Sequence, residues 1–293
     1  MISNTRHDRG RSGSSVSSGA CRKARTAWGH GTLRSLHVWA WVLAAAVLGV
    51  TLAASVAHAQ FGPLLNARRA PQARTQEELD LYLEIYTGGD PRETIRNVER
   101  FVEAYPDSEF LGLAYQYQMT AYRGLSDYDG VLTAGAKALE FLPDNLNTLI
   151  TLAAVIPNGA DGRPDREELL AQAEGYAAAV LSQLRTLTIP AEIPLEQWES
   201  RKAEMEAEAQ EALGHLAVKK GDLEEALRQF KTAVETNPRP TPSQWYRLGG
   251  TYLMMGQQKK AIEPLRRAAE TGDGTVKELA LDQLERIERS KTK

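Results

Sequence analysis

The groups able to move a proton or hold a metal concentrate in one stretch of this chain. Glu204, Glu206, Glu208 and Glu211 follow one another closely. Paired carboxylates can cleave glycosidic bonds or bind divalent ions. In a segment rich in Ala and Glu, the same spacing makes a solvated helix face with pairs four residues apart. The solvated face is the expected reading. Asp161, Asp165 and Glu168 surround a glycine-bearing loop, but their spacing does not fit the calcium-binding helix–loop–helix pattern, so a polar turn is expected. Of the five His residues, only His215 lies beyond residue 59, and the single Cys, Cys21, lies before it. A nucleophilic triad or a structural zinc site needs several such groups brought together. There is no Gly-rich phosphate cradle followed by Lys and Ser or Thr, and no dinucleotide fingerprint. The expectation is therefore a protein that is not an enzyme, with no catalytic residue, no metal and no cofactor.

The elements that would position these groups show in a repeated pattern. Leu213, Gly214, Gly221, Ala226, Phe230, Ala233 and Pro238 are followed by Trp245, Leu248, Gly249, Tyr252, Gly256, Ala261, Leu265 and Ala268. Gly214 to Gly249, Gly221 to Gly256 and Ala226 to Ala261 are each 35 residues apart. Leu248, Gly249 and Tyr252 share one helical face, and Ala261, Leu265 and Ala268 share another. The small residues Gly249 and Ala261 suit a close contact between two helices. Gly221 and Gly256 suit the left-handed turn that ends a first helix. Start signals agree: Thr75/Glu78, Asp165/Glu168, Asp222/Glu225, Thr241/Gln244 and Thr275/Glu278 have capping-box spacing, and Asp90-Pro91 opens another helix.

A Trp-x2-Leu-Gly-x2-Tyr run with a later Ala-x3-Phe run, at this period, resembles the tetratricopeptide repeat. The resemblance implies an all-α, right-handed superhelical solenoid of about five helix pairs with a C-terminal capping helix. Units fall at about 75–106, 107–143, 144–187, 195–238 and 241–272, with the cap at 274–290. The third unit carries a turn-rich insert, residues 157–164, and the fourth opens with a long helix from Leu195 that overshoots its repeat. Expected core residues are Tyr82, Phe101, Tyr115, Tyr122, Leu213, Phe230, Trp245, Tyr252 and Leu265.

In proteins of this kind the concave groove holds a partner. The same register makes the groove candidates Leu79, Leu83 and Tyr86; Gln116, Thr120 and Arg123; Glu211, His215 and Lys219; and Tyr246, Gly250, Leu253 and Met254. Some relatives grip a chain-terminal carboxylate with arrayed Lys and Asn; no such array occurs here, so that ligand is not expected.

Residues 1–35 are rich in Arg, Ser and Gly and are expected to be disordered. Residues 36–59 contain an uncharged apolar run, Val38 to Val56, ending in Ala57-His58-Ala59. This resembles a bacterial secretory signal peptide, and its length also suits a single transmembrane anchor. Either way the repeats, joined by a linker at 60–74, would lie outside the cytoplasm, in the periplasm or tethered to the inner membrane. Membrane contact would come only through residues 36–59, if they are uncleaved. Residues 60–293 carry 28 Lys and Arg against 37 Asp and Glu, a net charge of −9. That acidity argues against nucleic acid as a partner. The expected function is a non-catalytic interaction scaffold of the cell envelope that binds a protein or peptide in its groove. A self-associating oligomeriser is the alternative, and an Asp/Glu-dependent hydrolase of envelope polymers a remote one.

Overall fold

The computed structural model describes residues 70–188 and 193–291. Among them run eleven α-helices and no strand. Most helices begin where a side chain can satisfy their first free amides. Thr75 accepts from Glu78 N ahead of α1 (Gln76–Thr87), and Asp90 accepts from Arg92 N ahead of α2 (Pro91–Ala104). The second pair is α3 (Leu111–Gly124) and α4 (Tyr128–Phe141), with Asp127 capping α4 through Gly130 N. Asn145 caps α5 (Leu146–Gly159), which precedes α6 (Arg166–Thr186). The long α7 (Leu195–Lys220) leads to α8 (Leu223–Thr236), capped by Asp222 through Glu225 N. A complete capping box of Thr241 and Gln244 opens α9 (Pro242–Met254). The last two helices are α10 (Gln258–Thr271) and α11 (Gly274–Lys291). Two expected caps do not form. The Asp165 carboxylate turns to Arg163 Nε, 3.2 Å away, instead of the α6 amides. Thr275 lies inside α11, which begins one residue earlier.

Consecutive helices pair as five units, and α11 packs on α10 and α9 to close the stack. The core is a row of adjoining clusters, as in a stack whose units touch only their neighbours. At the N-terminal end Tyr82 stacks on Phe110, with ring centroids 4.2 Å apart, and tilts against Phe101. Met119, Leu152, Ile156 and Leu170 join the second and third units. Phe230 and Leu248 join the fourth to the fifth, and Leu265 and Ile287 join the fifth to α11. Tyr82, Phe101, Phe230 and Leu265 are buried as expected. Tyr115, Tyr122, Leu213, Trp245 and Tyr252 are only half-buried, because each packs against the rim of a cluster rather than inside it.

The close contacts within units depend on glycine. A Cβ on Gly214 would stand 2.6 Å from the Phe230 ring, and one on Gly249 would stand 2.7 Å from Leu265 Cγ. The atoms nearest to that added Cβ on Gly249 belong to Leu265. Gly221 (φ +80°) and Gly256 (φ +71°) end α7 and α9 in the left-handed conformation. The next amides, Asp222 N and Gln257 N, then donate back to Ala217 and Tyr252 carbonyls. Ser126 (φ +58°) makes the same turn after α3, with Asp127 N donating to Tyr122 O. The second unit therefore keeps the turn without the glycine that signals it.

Two irregular segments are built into the stack. The insert begins inside a helix, since α5 runs through Pro157 to Gly159. Its remainder folds back onto α4: Arg163 lies 5.3 Å from the Tyr128 ring centroid and pairs with Asp129 at 2.7 Å. The leading turns of α7 pack along α5 and α6, burying Trp198, Met205 and Ala209.

Candidate functional site

A cleft of about 580 Å³ lies on the side of the stack formed by the first helices of units two to five. Helical spacing aligns its walls. From α3 come Gln116, Thr120 and Arg123, and from α5 come Asn147, Thr151 and Asn158. From α7 come Arg201, Glu208, Glu211 and His215, and from α9 comes Arg247.

The α7 carboxylates are not a solvated face. All four are half-buried, and two of them face the cleft. Glu211 accepts from Arg247 Nε at 2.8 Å. Burial raises its carboxyl above the usual range, while Arg247 and a hydrogen bond with Gln244 pull it back. Burial also raises Glu208, with Arg201 opposing and Glu211 reinforcing the rise. Among the described residues Glu208 makes no hydrogen bond and no ion pair within 4 Å. Glu204 differs: a 2.6 Å bond from Arg239 holds its carboxyl below the usual range.

Arg247 Nη1 donates to His215 Nδ1 at 3.4 Å. A guanidinium can only donate, so Nδ1 accepts and the imidazole is neutral with its proton on Nε2. That Nε2 is buried without an acceptor. Burial, with Arg247 and Lys219 adding to it, pushes the His215 pKa down to about 3. His215 also meets Phe230 edge-on, with centroids 5.5 Å apart. It is therefore a fixed neutral part of the wall. Among the described residues no group of three His, Cys, Asp or Glu side chains is gathered as for a metal ion.

Of the sequence-derived groove candidates, Gln116, Thr120, Arg123, Glu211 and His215 come together in this cleft. The others lie elsewhere. Lys219 turns to Asp161 of the insert, whose carboxylate also pairs with Arg166. Tyr246 and Leu253 pack against the cluster shared with α11. Gly250 faces open space, and Met254 is exposed. Leu79 and Tyr86 pack on the N-terminal aromatic cluster, where Tyr86 meets Tyr117 edge-on at 5.9 Å; Leu83 beside them is half-buried. Sequence reasoning missed Asn147, Thr151, Asn158, Arg201, Glu208 and Arg247. Unit three lacks a clear signature to set the α5 register. The α7 overhang lies outside the repeat, and α11 occupies the α9 face that the period assigns to the groove.

Comparison with known proteins agrees with this architecture. Residues 207–240 match the family profile described as "Tetratricopeptide repeat". No curated protein matches the chain. Among solved structures, MamA from Desulfovibrio magneticus RS-1 (residue 41 to its end) is similar in fold, with a TM-score of 0.51 and 17% identity. That match covers 68% of this chain and 97% of the other. A thermophilic TPR protein in Thermus thermophilus matches with a TM-score of 0.48 and 18% identity, covering 74% of this chain and 99% of that one.

Proposed function

We propose that this chain, whose residues 207–240 match the tetratricopeptide-repeat profile and whose fold is similar to that of MamA, is a non-catalytic scaffold that holds a partner peptide or helix in its concave cleft. One observation carries this reading: four consecutive first helices place amide, hydroxyl and charged side chains around one open volume of about 580 Å³. Such a surface offers complementarity rather than a reaction. Its His is neutral and engaged with Arg247, and Glu211 is held by the same arginine. The work of the fold is to keep these groups in place without a partner, so that little ordering cost remains at binding. We further propose that the protein acts in the bacterial cell envelope. The uncharged apolar run from Val38 to Val56 supports this; it lies outside the described residues. Among those, no helix is long and apolar enough to cross a membrane.

The test is crosslinked capture from envelope extract of the source organism, with the chain as bait beside its Ala154→Trp variant. Ala154 lines the cleft, so an indole there fills it. A partner captured by the first bait and lost with the second supports groove binding. Equal capture by both refutes it and moves binding to another face.

A further inference from the structure

The charges of the cleft do not cancel evenly. Glu211 has Arg247 at 2.8 Å, and Arg201 has Glu204 at 3.6 Å. Two charges on the lining, Glu208 and Arg123, have no ion pair or hydrogen bond among the described residues. They are not equivalent. Arg123 is exposed and solvated, so a ligand anion there would gain little over water. Glu208 is half-buried on the α7 wall. Folding has already stripped part of its hydration, and Arg201 and Arg123 act on it only from beyond ion-pair distance. A ligand cation reaching it would gain attraction while paying less than at a fully solvated carboxylate for the remaining desolvation.

The rest of the lining indicates what carries that cation. Asn147 and Thr151 on α5 make no side-chain hydrogen bond among the described residues, and Gln116 and Thr120 face them from α3. Amides and hydroxyls both donate and accept. They match an extended backbone, which presents unpaired N–H and C=O groups at each residue, whereas a helix has satisfied its own. We propose that the cleft recognises an extended peptide segment bearing a lysine or arginine, whose cation docks on Glu208 while its backbone bonds to the neutral polar wall. This rests on the groove reading above and gives that partner its chemistry.

The experiment uses the full chain and a positional-scanning decapeptide library, each pool fixing one position as Lys, Arg, norleucine, Glu or Ala. Retention is compared for the wild-type chain, Glu208→Gln, Arg123→Ala and the cleft-filling Ala154→Trp. The expected result is enrichment of Lys and Arg over norleucine at one position, lost by about tenfold in Glu208→Gln. Preferences at other positions persist in that variant. Glu208→Gln keeps the side-chain shape and removes an uncompensated charge, so a melting temperature no lower than wild type shows it folded. Peptides retained through the cleft without a basic preference, or with one that Glu208→Gln leaves intact, overturn the proposal but leave the groove reading standing. A preference for Glu lost in Arg123→Ala does the same and makes Arg123 the anchor. No retention at all overturns the proposal and leaves the groove reading to the capture experiment, whereas retention unaffected by Ala154→Trp overturns both readings.

Discussion

Individual residues carry strain and charge that the repeat pattern leaves unstated. Ser126 holds a left-handed backbone where two later units use glycine. That conformation costs an L-residue roughly 1–2 kcal/mol, partly offset by glycine's greater freedom when unfolded. Ser126→Gly is expected to stabilise the protein by about 1 kcal/mol, read as a higher melting temperature. Gly249→Leu has the opposite sign: with Leu265 Cγ 2.7 Å from the added Cβ, overpacking should cost about 1–3 kcal/mol in a denaturant titration. An unchanged midpoint would show that α9 and α10 are not in contact there. His215 links stability to acid. Its folded pKa is about 3 against an ordinary 6.5, so between those values the unfolded chain binds the extra proton. Its contribution is therefore lost as pH falls through that window, by at most about 1.4 kcal/mol per pH unit. Glu208 and Glu211 have raised values and act in the other direction, since just above the ordinary carboxylate range the folded state binds the proton first. Stability measured against pH should show a shallower acid limb for His215→Gln than for wild type.

Helices in this chain start by local chemistry, which is why so many starts were legible. Thr75, Asp90, Asp222 and Thr241 cap the helices they precede. A cap is a bond between residues two or three apart and needs little tertiary context. Gln257 is informative by contrast. It occupies before α10 the place that Asp222 holds before α8, yet makes no capping bond, and its Oε1 is buried without a donor. A shorter acceptor should serve both needs, so Gln257→Asp is expected to stabilise by about 0.5–1 kcal/mol in thermal melts. Sequence reasoning failed at Pro157 and along α7. Pro and Gly signal turns through local preference, but packing of Leu152 and Ile156 into the core carries α5 past Pro157. The α7 carboxylates read as solvent-facing because nothing local reveals that Arg247, from the next unit, lies against Glu211.

For the whole molecule, stability should come from neighbour contacts rather than from one centre. The clearest consequence is at the C-terminal end. Leu265 and Ile287 share a cluster across the α10–α11 joint, with Tyr246 and Leu253 packed on it. A chain ending before Gly274 would expose that apolar surface. It should melt at a lower temperature and elute as larger species in size-exclusion chromatography; a monomer as stable as the full chain would show that α11 is dispensable.

The sequence by itself determined the helical class, the pairing of helices, the left-handed glycine turns and most caps, because each depends on residues close in the chain or on a period they repeat. It also placed Gln116, Thr120, Arg123, Glu211 and His215 on the side that became the cleft. Tertiary structure alone decided which wall residues share one volume and which charges are left over. Arg247 came to Glu211, Lys219 went to Asp161, and Glu208 kept no ion-pair partner among the described residues. The physical reason is that burial and ion pairing depend on distance through space. The rise and rotation from one unit to the next, together with the α7 overhang and the α11 cap, set those distances without leaving a mark on any single repeat.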